Sequence, residues 1–179
     1  LLASNGVESG HEFDIDQVLT PSLEAELCFA LRGDLHGPRV TRQQALAAVD
    51  WVCPAFEIIE RRGDMAADLP LGVADNVSQW AYVLGKPLRP YPAQLDLGQV
   101  RCEVLRNGEP VVRAVGREVI DPQLDSIAWL ANSLHRFEQH LEAGHIILTG
   151  SFIRPVPISK GDRWEARFAG IGTVTASFL

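Results

Sequence analysis

The stretch Leu23-Glu24-Ala25-Glu26-Leu27-Cys28-Phe29-Ala30-Leu31 constrains this chain more than any other. Alternate side chains of an extended chain share a face. Leu23, Ala25, Leu27, Phe29 and Leu31 then make one apolar surface, and Glu24, Glu26, Cys28 and Ala30 make the other. A second strand-like stretch, Ala55-Phe56-Glu57-Ile58-Ile59, carries Glu57 in an equally apolar setting. Carboxylates are rarely buried unless they are paired or bind a metal. Three convergent carboxylates would form a hard, all-oxygen site, which suits Mg²⁺, Mn²⁺ or Ca²⁺ and suits zinc poorly. An edge strand with one wet face also alternates apolar and charged residues. For Glu24 and Glu26 the pattern leaves both readings open. Glu57 weighs toward the metal, because its strand has apolar residues on both faces.

With 179 residues the chain can build one sizeable core. Its 46% hydrophobic and 22% charged residues exclude a disordered class. A net charge of −7 argues against a nucleic-acid partner, which requires a basic face. No apolar run is long enough to span a bilayer, and Leu1 to Gly10 has neither the basic nor the apolar part of a signal peptide. Cys28, Cys53 and Cys102 have no CxxC spacing and are odd in number, so a reducing, cytoplasmic setting is expected.

Strands are expected at Leu23–Leu31, Trp51–Ile59, Gln79–Leu84, Ile146–Thr149, Trp164–Phe168 and Val174–Leu179. Val100–Arg106 and Val111–Arg113 flank Asn107-Gly108, a pair suited to a type I′ hairpin turn. Thr41-Arg42-Gln43-Gln44 is a capping box that opens a short alanine-rich helix. Asp121-Pro122 predicts a second helix with Asp121 as N-cap, its apolar face made by Leu124, Ile127, Ala128, Ala131 and Leu134. His11 to Pro21 and Arg61 to Pro70 read as loops. Strands do not alternate with helices, so the fold class expected is α+β, mainly β, a roll of sheets with peripheral helices.

There is no GxSxG elbow and no Walker loop. Gly170-Ile171-Gly172 precedes a strand and marks a turn or bulge. The five histidines show no ligand spacing and are expected at the surface. Asp75-Asn76 reads as an Asx turn or a site segment. The Gly150-Ser151 loop could present backbone N–H groups to a carboxylate or simply end a strand.

Six segments occur in order: Leu23–Leu27, Pro54–Ile59, Val73-Ala74-Asp75-Asn76, Ala128-Trp129-Leu130-Ala131-Asn132, Gly150–Val156 and Gly170–Val174. Together they resemble the fumarylacetoacetate hydrolase superfamily, nearest the branch of 2-oxopent-4-enoate hydratases and 4-oxalocrotonate decarboxylases of aromatic-compound breakdown. The resemblance implies a mixed β-roll, with Glu24, Glu26 and Glu57 holding Mg²⁺ or Mn²⁺. Arg62 falls where the hydratase pattern has an arginine. Asn76, Ser151 and Arg154 are the implied substrate contacts, with Arg154 suited to a distal carboxylate.

The implied substrate is a 2-oxo or 2-hydroxy-dienoic acid, the implied activity hydration, and the implied assembly a homo-oligomer, alone or with a related decarboxylase or hydratase. A decarboxylase, an acylpyruvate-type C–C hydrolase and a noncatalytic partner subunit are the alternatives. The family's enzymes also carry an N-terminal region with a lysine before a Gly-Leu-Thr-Ser-like segment. The sequence lacks it, so residues 1–179 are expected to be one catalytic-type domain missing an N-terminal segment. Val119-Ile120-Asp121-Pro122 stands where the family usually has Gly-His-Pro, and Leu71-Gly72 where it has Asp-Thr. No acid–base residue is assigned.

Overall fold

The computed structural model describes residues 5–63 and 69–179. In chain order the elements are β1 (Gly6–Glu8), β2 (His11–Phe13), β3 (Pro21–Leu31), α1 (Arg42–Ala48), β4 (Val49–Glu60), α2 (Leu69–Ala74) and β5 (Gln79–Leu84). There follow β6 (Arg101–Arg106), β7 (Glu109–Val115), α3 (Gly116–Val119), α4 (Gln123–Leu134), β8 (Ile146–Ser151), β9 (Val156–Pro157), β10 (Arg163–Phe168) and β11 (Gly172–Phe178). One sheet has the order β1-β5-β4-β3-β8, with β9 also pairing β3; the other runs β2-β11-β10-β6-β7. Both mix parallel and antiparallel pairs. The α+β, mainly β expectation therefore holds. No helix among the described residues is long and apolar enough to cross a membrane.

The second sheet shows how sequence alternation becomes a layer. Trp164, Ala166 and Phe168 of β10 are buried, whereas Arg163 and Arg167 on the alternate face are exposed. Val174, Ala176 and Phe178 of β11 are buried beside them. These residues meet Leu23, Ala25, Leu27 and Phe29 of β3 and Phe56 and Ile58 of β4 in one continuous core. Ring contacts stitch the layers: Phe152 meets Phe168 edge-on at 5.1 Å, and Phe13 of β2 meets Trp80 of β5 at 5.3 Å.

The capping box forms as expected, with the Thr41 hydroxyl accepting from Gln44 N–H and the Gln44 side chain accepting from Thr41 N–H. Asn107 and Gly108 both adopt positive φ, at 54° and 87°, and close the β6–β7 hairpin. Pro110 sits beside a register shift on β7, an edge strand, where its missing N–H is harmless. The Asn132 amide pairs with the Val40 backbone at 2.7 and 2.9 Å, so this motif residue ties α4 to the segment leading into α1.

Four expectations change. Asp121 does not cap α4: the helix starts at Gln123 with Pro122 as N-cap and no side-chain cap, which leaves Asp121 one residue too far out. His11 to Pro21 contains β2, which pairs with β11 in parallel. A three-residue strand is too short to show alternation. Leu69 and Pro70 open α2 rather than ending a loop, and residues 64–68 of that loop lie outside the described residues. Finally, β3 is no edge strand: β4 flanks it on one side, β8 and β9 on the other.

Leu27 is wholly buried between the two sheets. Leu27→Ala should cost about 2–5 kcal/mol, the range for a buried leucine leaving a cavity. Urea denaturation of the two proteins measures it, and a loss below about 1 kcal/mol would mean that this face is not the inter-sheet core.

Candidate metal centre

Register places the three carboxylates. Glu24 stands directly opposite Glu57 across the β3–β4 ladder, and Glu26 is opposite Ala55, hence diagonal to Glu57 on the same face. One carboxylate oxygen from each of Glu24, Glu26 and Glu57 lies within 4.8 Å of the others. Glu26 is only 3% exposed. Beyond it on this face, Cys28, Cys53 and Ala55 form a small apolar cluster.

A bulge in β8 reaches the same group. The β3–β8 register shifts between Glu26 and Cys28, and Gly150 adopts φ 104°, a left-handed conformation that glycine tolerates. The Gly150 N–H leaves the ladder and donates to Glu26 Oε2 at 2.9 Å. The sequence suggested N–H groups for an incoming oxyanion here; this one serves a carboxylate of the protein itself. Phe152 N–H goes to Ala25 O, and Ile153 N–H to the Ser151 hydroxyl.

Burial is the main electrostatic fact. It pushes the Glu24 carboxyl from 4.5 up to about 7, with Glu57 adding repulsion. Burial first, then the neighbouring Glu57 charge, raises Glu26 as well, against a partial offset from Gly150 N–H. Burial also raises Glu57. Among the described residues no lysine, arginine or histidine forms an ion pair with Glu24, Glu26 or Glu57, and the donors are all carboxylate oxygens. That donor set fits a hard divalent cation.

Two cavities border the cluster, with Glu57 on both. One of about 610 Å³ is lined by Glu26, Glu57, Tyr82, His145, Gly150 and an apolar wall of Leu130, Leu141 and Ile146 to Leu148. The other, about 460 Å³, is lined by Glu24, Glu57, Ile59, Asn76, Val77 and Gln79. Asn76, Val77 and Ser78 hold left-handed backbone at φ 56°, 54° and 66°, unusual for a β-branched residue such as Val77.

The other expected site residues are placed unequally. Asn76 reaches the second cavity and donates to Gln79 Oε1 at 2.8 Å. Ser151 is opposite Glu26 in register, but its hydroxyl is engaged with Ala25 O and Ile153 N–H. Arg154 is exposed, lines neither cavity, and has no hydrogen bond or ion pair among the described residues. Arg62 grips Asp75 through Nε and Nη2 at 2.8 and 3.0 Å and also contacts Glu60, so it anchors the turn before Asn76.

Sequence reading missed Tyr82, Gln79 and His145. Tyr82 is legible only through its pairing with Glu57. Gln79 is 5% exposed, and its Nε2 has no partner among the described residues. His145 carries no local signal.

These geometries can be set beside known proteins. A family model described as Fumarylacetoacetate (FAA) hydrolase C-terminal matches residues 8–179. The 2-hydroxyhexa-2,4-dienoate hydratase of Comamonas testosteroni is 39% identical over 162 residues, 90% of this chain and 61% of the relative. The 4-oxalocrotonate decarboxylase of Pseudomonas sp. strain CF600 is 35% identical, covering 97% of this chain and 66% of the relative. The structure of 4-oxalocrotonate decarboxylase from Pseudomonas putida G7, complexed with magnesium and adipate, superposes with a TM-score of 0.90 at 32% identity, covering 98% of this chain and 67% of that one. The chain spans roughly two thirds of the length of these relatives.

The raised carboxyls set a pH dependence for the metal-free protein. Each binds its proton more tightly folded than unfolded, so their stabilising contribution is complete below about pH 4.5 and is lost as pH rises through about 7 for Glu24 and about 8 for Glu26. Melting temperature in chelator should therefore fall across this window. Glu26→Gln should flatten the fall and raise the melting point at pH 8. An unchanged pH slope in that variant would show that Glu26 is not the strained group.

Proposed function

The chain belongs to the fumarylacetoacetate hydrolase C-terminal family, and from that premise we propose that it is a metal-dependent hydratase of 2-hydroxy-2,4-dienoic acids from aromatic-compound breakdown. The observation that carries this is the Glu24–Glu26–Glu57 cluster, buried at Glu26 and half-buried at the other two, between two cavities. These residues would hold Mg²⁺ or Mn²⁺. When bound, such an ion supplies a Lewis acid for the oxygens of a 2-oxo acid.

The chain's own residues divide the remaining work. Gly150 N–H fixes the Glu26 carboxylate and so sets one donor's direction. Asn76, held to Gln79 Oε1, lines the second cavity and is the polar side chain there suited to a substrate oxygen. Leu130, Leu141 and Ile146 to Leu148 suit a carbon chain with conjugated double bonds and limit water. The Tyr82 hydroxyl, protonated at neutral pH and pushed further up by burial, is a neutral donor at this wall. Tyr82 and His145 are the protonatable groups of the first cavity besides the ligands themselves.

Hydratases and a decarboxylase match at 39%, 35% and 35% identity, so identity alone does not choose between them. Hydration is favoured because Gly150 to Val156 resembles the hydratases that act on longer diacids. Arg154 would then meet a distal carboxylate only if the ligand or a second subunit brings charge to it. Assembly as a homo-oligomer, and with a related decarboxylase or hydratase, belongs to the same proposal.

The test combines binding and turnover. Mg²⁺ should raise the melting temperature, and oxalate should add to that rise only when Mg²⁺ is present. Glu57→Gln should weaken Mg²⁺ binding by at least about tenfold, because the amide keeps the shape and removes the charge. An equal Mg²⁺ response in wild type and variant would remove Glu57 from the ligand set. With Mg²⁺, 2-hydroxypenta-2,4-dienoate should be consumed without CO₂ release; CO₂ from 4-oxalocrotonate would select the decarboxylase instead.

A further inference from the structure

We propose that Asp34, His36 and His140 form a second cation site, for a divalent transition metal such as Zn²⁺, on the surface beside the carboxylate cavity. The fold builds this site from two loops far apart in sequence. Leu35 and Leu141 make an isolated antiparallel bridge, with Leu35 N–H donating to Leu141 O at 2.8 Å and Leu141 N–H to Leu35 O at 3.2 Å. Both leucines are buried. In an extended pair the flanking side chains project to the opposite face. Asp34, His36, His140 and Glu142 therefore share the solvent side.

The geometry on that side is convergent. The His36 and His140 rings stack with centroids 4.1 Å apart, and one ligand atom each from Asp34, His36 and His140 lies within 4.8 Å of the others. His36 Nε2 is 3.9 Å from Asp34 Oδ2, and His140 Nε2 is 3.9 Å from Glu142 Oε1. Glu142 is thus the next oxygen available. Asp34 Oδ1 accepts from Ala143 N–H at 2.8 Å, which orients the carboxylate and leaves Oδ2 for an ion.

Donor chemistry separates this site from the first. Two imidazoles and a carboxylate favour Zn²⁺, Ni²⁺ or Cu²⁺ over Mg²⁺, and three protein ligands leave a position for water. The location gives it a consequence. Leu141, Gly144 and His145 line the 610 Å³ cavity, so an ion across the bridge would clamp the loop that forms one wall of that cavity.

The experiment titrates Zn²⁺ calorimetrically into the whole chain in excess Mg²⁺, which saturates the carboxylate cluster. One equivalent should bind in the wild type. His36→Ala/His140→Ala should weaken that binding by at least about tenfold, as loss of nitrogen ligands requires, while Glu57→Gln leaves it unchanged. Asp34→Asn, which alters no packing, should also weaken it. Cu²⁺ bound to the wild type should show nitrogen hyperfine structure in its electron paramagnetic resonance spectrum, and the double variant should not. Equal Zn²⁺ affinity in the wild type and the histidine variant, no binding in the wild type, or a Cu²⁺ spectrum without nitrogen would each overturn the proposal.

Discussion

Everything at the carboxylate cluster depends on one register: Glu24 opposite Glu57 on two interior strands. A slip of β3 by one residue would turn Glu24 and Glu26 into the inter-sheet core and Leu23, Ala25 and Leu27 out of it. The apolar alternation of β3 holds the register, because those residues are wholly buried against the second sheet. The cluster therefore inherits its position from packing it takes no part in. The carboxylates lose hydration and Glu57 repels its neighbours, and the raised pKa values of Glu24, Glu26 and Glu57 are the trace of that cost. The core must supply the surplus stability that lets three acids sit together.

The parts legible in the sequence are those that local physics fixes. Period-two alternation marked β3 and β10, Asn107-Gly108 marked its hairpin, and Thr41 to Gln44 marked a helix start. What stayed hidden depends on partners distant in sequence. β1 and β2 are three-residue strands that exist because β5 and β11 offer edges to them. Whether β3 lay at an edge could not be read from its own residues, since β8 and β9 decide it. Glu24, Glu26 and Glu57 stood out as charges in apolar runs. Gln79 and His145 did not, because a glutamine at a strand start and a histidine in a loop are ordinary.

The histidines show the same limit more sharply. Spacing along the chain gave no ligand pattern, yet the Leu35–Leu141 bridge stacks His36 on His140. Ligand motifs readable in sequence are those carried on one helix or one loop. A site spread across two loops is visible only once the backbone pairing is known.

The two proposed cation sites then differ in a way that follows from where each lies. The interior cluster is built of oxygen alone, and solvent reaches it only through cavities, so a hard ion there is dehydrated by the protein and its charge is felt strongly by a bound anion. The bridge site is exposed, with His36 and Asp34 side chains 64% and 50% accessible, and an ion there keeps water and meets screened charge. Strong electrostatics suit chemistry, and weak electrostatics with firm geometry suit a clamp. The strained Asn76 to Ser78 turn closes one side of the interior cluster, held by the Arg62 grip on Asp75, and the bridge loop closes the other. The walls around the three glutamates are thus set by loops, while the glutamates themselves are set by strands. Substrate preference can shift through the loops without disturbing the register on which the carboxylates depend.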